Sequence, residues 1–300
     1  QQDSTAPFLA IRNARVEFTF GPPTAGPEGR YAILVAVQEY QNFPRLQNPY
    51  RDAAKLRTTL LGHGYLAQNI RVITDSPPPA QLGLGTVEVR GADANSLLNA
   101  VQAAANDARN KGVQYLTFSF FGHGAWKEGR NYLIPAGVQL AFLDKLSVTP
   151  QEVLQVLNGP TAGKPIPHVL LLIDACRSGA GARLNPTPLD PMNGDTVTAY
   201  YSCTQGEESL ELLQPQQGSL NFTGGLFTEM FTRLVRRGSF KNWGPFEDEL
   251  YGLVREAAAQ LEGRTQRPDR QAVPSGDAKA TLPGFFALQD RSPSPMQATR

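Results

Sequence analysis

Three hundred residues, 41% hydrophobic and 18% charged, hold enough apolar material for a sizeable core. A formal net charge of +1 with scattered basic residues gives no electrostatic basis for binding nucleic acid or an anionic membrane; Arg233, Arg236 and Arg237, the nearest thing to a cluster, suit a helix C-terminus. No apolar run approaches the roughly 20 residues of a membrane helix, and two cysteines, Cys176 and Cys203, cannot build a disulfide framework.

A reducing, cytoplasmic setting is therefore the expectation, although a chain that begins at Gln1 is consistent with processing or truncation. Residues 1–30 read as an edge strand, alternating over 15–20, followed by the loop GPPTAGPEG. A first buried strand covers 31–37. Asn48 and Pro49 then open a helix through Leu61, and a second strand covers 69–75. Gly83 and Gly85 lack the rest of a phosphate-binding fingerprint and read as loop.

Apolar spacing predicts a helix over 92–111, capped by Asp93 or Asn95, which feeds a strand at 115–121. Residues 132–135 form a short strand or hairpin arm. A helix follows over 149–157, with Thr149 as N-cap and Glu152 completing a capping box. Five apolar residues, 169–173, read as a buried parallel strand. The segment 180–196, with three Pro and two Gly, reads as an exposed loop. A strand at 197–203, helices at 222–237 and 246–262, and a sixth strand at 282–288 complete the expectation, with a disordered tail over 289–300. This alternation predicts one α/β domain, a mostly parallel sheet of about six strands between helical layers.

In such sheets ligands bind beyond the carboxyl ends of the strands, where Asp52, His123, Asp174 and Cys176 all fall. A cysteine nucleophile needs a nearby imidazole to take its proton, and an attacked carbonyl needs N–H donors for its developing charge. Cys176 in its polar turn, His123 between Gly122 and Gly124, and the backbone amides of Gly124 and Cys176 could meet those needs. Taken singly, Cys176 reads more readily as a buried apolar residue and His123 as a structural one; the pairing at matched strand ends favours chemistry. Zinc is disfavoured because His63, His123 and His168 with two Cys show no ligand spacing. Ser178 lacks a G-x-S-x-G elbow, and Cys203 reads as core.

The segments FFGHG (120–124) and DACRSG (174–179), 53 residues apart from His123 to Cys176, resemble the His and Cys boxes of caspase-like cysteine peptidases. The metacaspase and bacterial orthocaspase branch is the most similar, with further likeness in LQNPYRDA, YLIP, AYYSCTQGEES and GGLFTEMFTRL. The resemblance implies a caspase-like three-layer sandwich over 31–288, with a large-subunit-like part at 31–179, a linker at 180–196 and a small-subunit-like part at 197–288. It implies Cys176 as nucleophile, His123 as general base and then acid, and an oxyanion hole from the Gly124 and Cys176 amides.

Asp52 and Asp174 match the acids that line a pocket for a basic residue N-terminal to the scissile bond (P1). Two carboxylates in a slot favour Arg or Lys by charge-assisted hydrogen bonds. The competing structural roles are helix capping for Asp52 and binding of turn amides for Asp174. True caspases place an arginine after the linker; here Glu207 and Glu208 stand in that region. Other departures are Phe121 two residues before the histidine, Arg51 in place of an Asn, and Arg177 in place of a His.

No cofactor is expected. Calcium activates some relatives, but no acidic cluster accompanies residues 132–135. The expected partners are protein or peptide substrates, with neither nucleic acid nor membrane, and with room for further domains or regulators outside this chain. Self-cleavage is expected in the linker, after Arg183. A catalytically silent regulatory module and a peptidase with another P1 preference are the alternatives.

Overall fold

A computed structural model describes residues 26–159, 166–177, 189, 196–216, 220–238, 240, 243–261, 264–273 and 285–286. Strand β1 (Arg30–Ala36) is followed by helix α1 (Pro49–Gly62), β2 (Ile70–Thr74), the short β3 (Val87–Val89) and α2 (Ala94–Asn110). Next come β4 (Tyr115–Phe121), the hairpin β5 (Gly124–Lys127) and β6 (Arg130–Leu133), the one-turn α3 (Leu143–Leu146) and α4 (Pro150–Asn158). The chain continues through β7 (His168–Asp174), β8 (Thr196–Tyr201), the two-residue strands β9 (Glu211–Leu212) and β10 (Gly224–Gly225), α5 (Leu226–Arg237), α6 (Trp243–Gln260) and β11 (Asp269–Val273).

Among the described residues seven strands form one sheet in the order β11-β8-β7-β4-β1-β2-β3, parallel except for β11, so the expected architecture holds with one strand more. Side chains alternate between two cores, as a pleated sheet covered on both faces requires. Ala32, Leu34, Leu170 and Leu172 face α1, α5 and α6; Tyr31, Ile33, Val35, Val169, Leu171 and Ile173 face α2 and α4. Both faces of β1, β4 and β7 are buried, which is why these strands read as continuous apolar runs.

Local signals account for most boundaries. The Asp93 carboxylate caps α2 by accepting from the Ser96 amide, and Thr149 with Glu152 forms the full capping box of α4. The β5–β6 turn places Glu128 at φ 52° and Gly129 at φ 81°, the left-handed pair that a two-residue hairpin demands.

Three expectations are corrected. The hairpin arm expected at 132–135 is β6, which runs over Arg130–Leu133 and ends two residues earlier, and its partner arm β5 was not expected. Helix α5 starts at Leu226 rather than 222, because Gly224 and Gly225 pair with β9. Among the described residues the last strand is Asp269–Val273, which was not expected; of the strand expected at 282–288 only Phe285 and Phe286 are described, and they form a bend packed on Tyr115, Phe231 and Trp243. The expected edge strand at 15–20, the tail, and the linker at 180–196 apart from Leu189 and Thr196 lie outside the described residues.

Candidate active site

Register brings the two boxes together. Phe121 of β4 pairs with Asp174 of β7, so His123 and Cys176 each lie two residues beyond the same rung of a parallel ladder. The Gly122 amide donates to the Asp174 carbonyl at 3.3 Å, carrying the pairing one step past the strands. His123 and Cys176 then line one cleft of about 140 Å³, together with Asp52, Asp174, Ser209, Glu211 and Gly225.

The His123 ring is held from one side by the loop after β1. Its backbone N–H donates to the Tyr40 hydroxyl at 2.7 Å, which donates in turn to the Ile134 carbonyl at 3.1 Å. The Tyr40 and Phe43 rings flank the imidazole at centroid distances of 4.5 and 5.7 Å. Nε2 lies 2.7 Å from the Pro44 carbonyl. A carbonyl only accepts, so Nε2 carries hydrogen and the neutral ring keeps its lone pair on Nδ1. Burial pushes the His123 pKa down, and the Pro44 bond partly opposes it.

Cys176 is half-buried, and its Sγ accepts from the Ser209 amide at 3.4 Å. Burial raises its pKa; the Ser209 N–H works the other way, and Glu208, Asp174 and Glu211 add to the rise. Near neutral pH both shifts favour the uncharged forms, a thiol at Cys176 and a neutral imidazole at His123, in the same cleft. The Ala175 amide donates to Ser202 Oγ and the Arg177 amide to the Glu207 carbonyl, which leaves the Cys176 amide uncommitted between them among the described residues. Because Ile134 donates to the His123 carbonyl, the next pair, Gly124 and Leu133, is a non-exchanging one, and the Gly124 N–H points away from β6. Gly124 must be glycine: a Cβ there would sit 2.5 Å from the Cys176 carbonyl oxygen.

Both predicted pocket acids meet the N-terminus of α5, where the helix dipole favours negative charge. Asp174 Oδ2 accepts from the Thr228 amide at 3.2 Å and from its hydroxyl at 2.5 Å, while Oδ1 accepts from Ser209 Oγ at 2.6 Å. Asp52 does not cap its own helix; its Oδ2 accepts from the Gly225 amide at 2.8 Å. Asp52 Oδ1, buried and with Lys55 Nζ no nearer than 3.7 Å, has no hydrogen-bond partner among the described residues. Burial raises the Asp52 pKa to about 8, with Lys55 opposing and Asp174 adding to it. Lys55 is drawn to Glu229 at 2.5 Å and to the Thr223 carbonyl at 3.1 Å.

A third acid, Glu211, also lines the cleft. Its Oε2 accepts from Asn48 Nδ2 at 3.0 Å, and burial raises its pKa. The sequence reading missed it, along with Tyr40, Pro44, Ser209, Thr228 and Gly225; the Gly-Gly pair was the one local signal of a close approach. Glu207 and Glu208 do not line the cleft: Glu207 pairs with Arg267 at 2.7 Å, and Glu208, near enough for its charge to act on Cys176, faces Arg264 at 3.9 Å. Cys203 is fully buried, its pKa pushed up to about 12 by desolvation. Arg183, Ser178 and Gly179 lie outside the described residues. Among the described residues no three or more His, Cys, Asp or Glu side chains are grouped to hold a metal ion, and no helix is long and apolar enough to cross a membrane.

No protein-family model and no curated protein matches this chain. Among solved structures it is similar to caspase-1 from Spodoptera frugiperda, with a TM-score of 0.54 and 15% identity over 86% of this chain and 94% of that one. At that identity the likeness establishes the fold. The chain has a caspase-like α/β fold.

Proposed function

We propose that the protein is a cysteine endopeptidase of the metacaspase and orthocaspase type that cleaves after Arg or Lys. The observation that carries this reading is one cleft holding Cys176 and His123 beside Asp52, Asp174 and Glu211, with a buried Asp52 oxygen lacking a hydrogen-bond partner among the described residues. A buried carboxylate oxygen without a donor is costly, and an arriving guanidinium or ammonium supplies one.

In this reading the basic side chain enters among the three acids and sets the scissile carbonyl over Cys176. As the carbon–sulfur bond forms, the thiol proton passes to Nδ1 of His123, whose Nε2–H on Pro44 presents Nδ1 as the base. The carbonyl oxygen, now negative, accepts from the amides of Gly124 and Cys176. Collapse breaks the carbon–nitrogen bond, and the imidazolium gives its proton to the leaving amine. His123 then deprotonates a water that attacks the thioester, releasing the carboxylate product and restoring the thiol. The depressed His123 and elevated Cys176 suit general-base transfer during attack rather than a standing thiolate.

The test is turnover of an arginyl fluorogenic peptide by the wild type, Cys176→Ala and His123→Ala, with an aspartyl peptide for comparison. Cleavage of the arginyl peptide alone, abolished in both variants, is expected. A wild type that cleaves neither peptide leaves the silent regulatory module standing; aspartyl cleavage overturns the basic preference.

A further inference from the structure

We propose that Asp75 is a positioning residue that holds His123 in its working orientation through the loop 38–46. Asp75 stands immediately after β2, and both its oxygens are engaged. Oδ1 accepts from the Gln38 amide at 2.9 Å and the Tyr50 hydroxyl at 2.8 Å, and Oδ2 accepts from the Glu39 amide at 2.8 Å. The β1–β2 ladder ends at the pair Ala36 and Thr74, so the carboxylate takes over pairing where the backbone leaves the sheet.

What it secures is the neck of a closed loop. The Leu46 amide returns to the Gln38 carbonyl at 3.2 Å, and between these two residues lie Tyr40, which binds the His123 amide, and Pro44, which receives Nε2–H. Further along, the loop is also tied by the Gln41 amide on the Ala136 carbonyl at 2.9 Å, Asn42 Nδ2 on the Val138 carbonyl at 3.3 Å, the Tyr40 hydroxyl on the Ile134 carbonyl, and an exposed Arg45–Glu39 ion pair that contributes little in water, but none of these holds the neck at 38–39. Around the ring itself stand Tyr40, Phe43 and the Pro44 carbonyl, with Cys176 sharing the cleft.

Two successive amides and a hydroxyl converge on one side chain, which calls for two acceptor oxygens. An asparagine supplies one and turns an NH₂ toward an N–H. Asp75 does not line the cleft and contacts neither Cys176 nor the pocket acids. Its effect reaches the chemistry only through Tyr40 and Pro44.

The kinetic consequence rests on the peptidase reading, whereas the consequence for His123 does not, and the experiment separates them. Asp75→Ala and Asp75→Asn are made in the Cys176→Ala chain, and the three histidines are followed by imidazole NMR against pH. Expected are a lower His123 midpoint, because the Pro44 acceptor no longer steadies the protonated ring, and a mixed Nδ1/Nε2 tautomer signal. His63 and His168 should titrate as in the parent and so report an intact fold. With the active chain, kcat should fall about 10- to 100-fold, as for a catalytic group displaced by roughly 1 Å, with KM little changed and Asp75→Asn the milder variant. If Asp75→Ala does not fold, Asp75→Asn carries the test. A His123 midpoint and tautomer identical to the parent in a folded variant overturns the proposal, whatever happens to turnover.

Discussion

Replacing Asp52 with asparagine separates the charge of the pocket from its shape. The side chain keeps its size and the acceptor for the Gly225 amide, but the buried oxygen without a partner no longer carries charge. Two effects follow from the structure. The first is loss of a charge-assisted bond to the P1 side chain, about 1.5–3 kcal/mol, or roughly 10- to 150-fold in kcat/KM. The second concerns pH. Burial holds Asp52 near pKa 8, so it is mostly protonated at pH 7 in the empty cleft. Binding a cation requires the ionised form, and a deficit of one pH unit costs about tenfold in affinity. That cost disappears as pH rises past the pKa, so the wild type should gain about tenfold between pH 7 and 9 from this group alone. Cys176 and His123 titrate in both proteins and cancel in the ratio. Measured as kcat/KM on an arginyl substrate from pH 6 to 9.5, the wild-type to Asp52→Asn ratio should climb with pH and level above 8. A ratio near one, or a constant ratio across the range, refutes the reasoning.

Other perturbations test separate contacts. Gly225→Ala would place a Cβ 2.5 Å from Asp174 Oδ2 and 3.2 Å from Asp52 Oδ2; turnover should fall at least about 100-fold with a stability loss of about 1–3 kcal/mol, read by urea titration. Asp269→Ala removes the 2.7 Å partner of the buried Arg177 guanidinium, which also stacks on Tyr201 at 4.4 Å. It should destabilise the chain by about 1–3 kcal/mol, toward the low end for a buried pair because Asp269 is partly exposed. Self-cleavage after Arg183 predicts two fragments by mass spectrometry of the purified wild type, and an intact chain for Cys176→Ala and for Arg183→Ala.

The parts legible in the sequence were those that local physics decides. Strand β4 is 115–121 as read, because residues buried on both faces leave an apolar run with sharp ends, and Thr149 and Glu152 announced α4 through a cap spanning three residues. Strand β11 escaped because an antiparallel edge strand reading DRQAV has no apolar run to betray it. At the site, His123, Asp174 and Cys176 were visible because each follows a core strand. Glu211 and Ser209 were not, since they sit on or beside a two-residue strand whose place is set by pairing with Gly224 and Gly225. Topology put Asp52 on the right edge of the sheet, and only likeness gave it a pocket role. Its geometry depends on a glycine 173 residues away, a separation that no local pattern encodes.

Strand order also determines what a cut in the linker would do. The chain leaves β7 and re-enters at β8, and these strands are direct neighbours, paired from His168–Thr196 to Ile173–Tyr201. The two sides of the break would therefore be joined by a ladder inside the sheet and by side chains from both sides in each core. Severing the peptide bond there relieves a tether without opening an interface. A nicked molecule should run as two bands on a denaturing gel, yet elute from a sizing column as one particle with its cleft still assembled from both pieces.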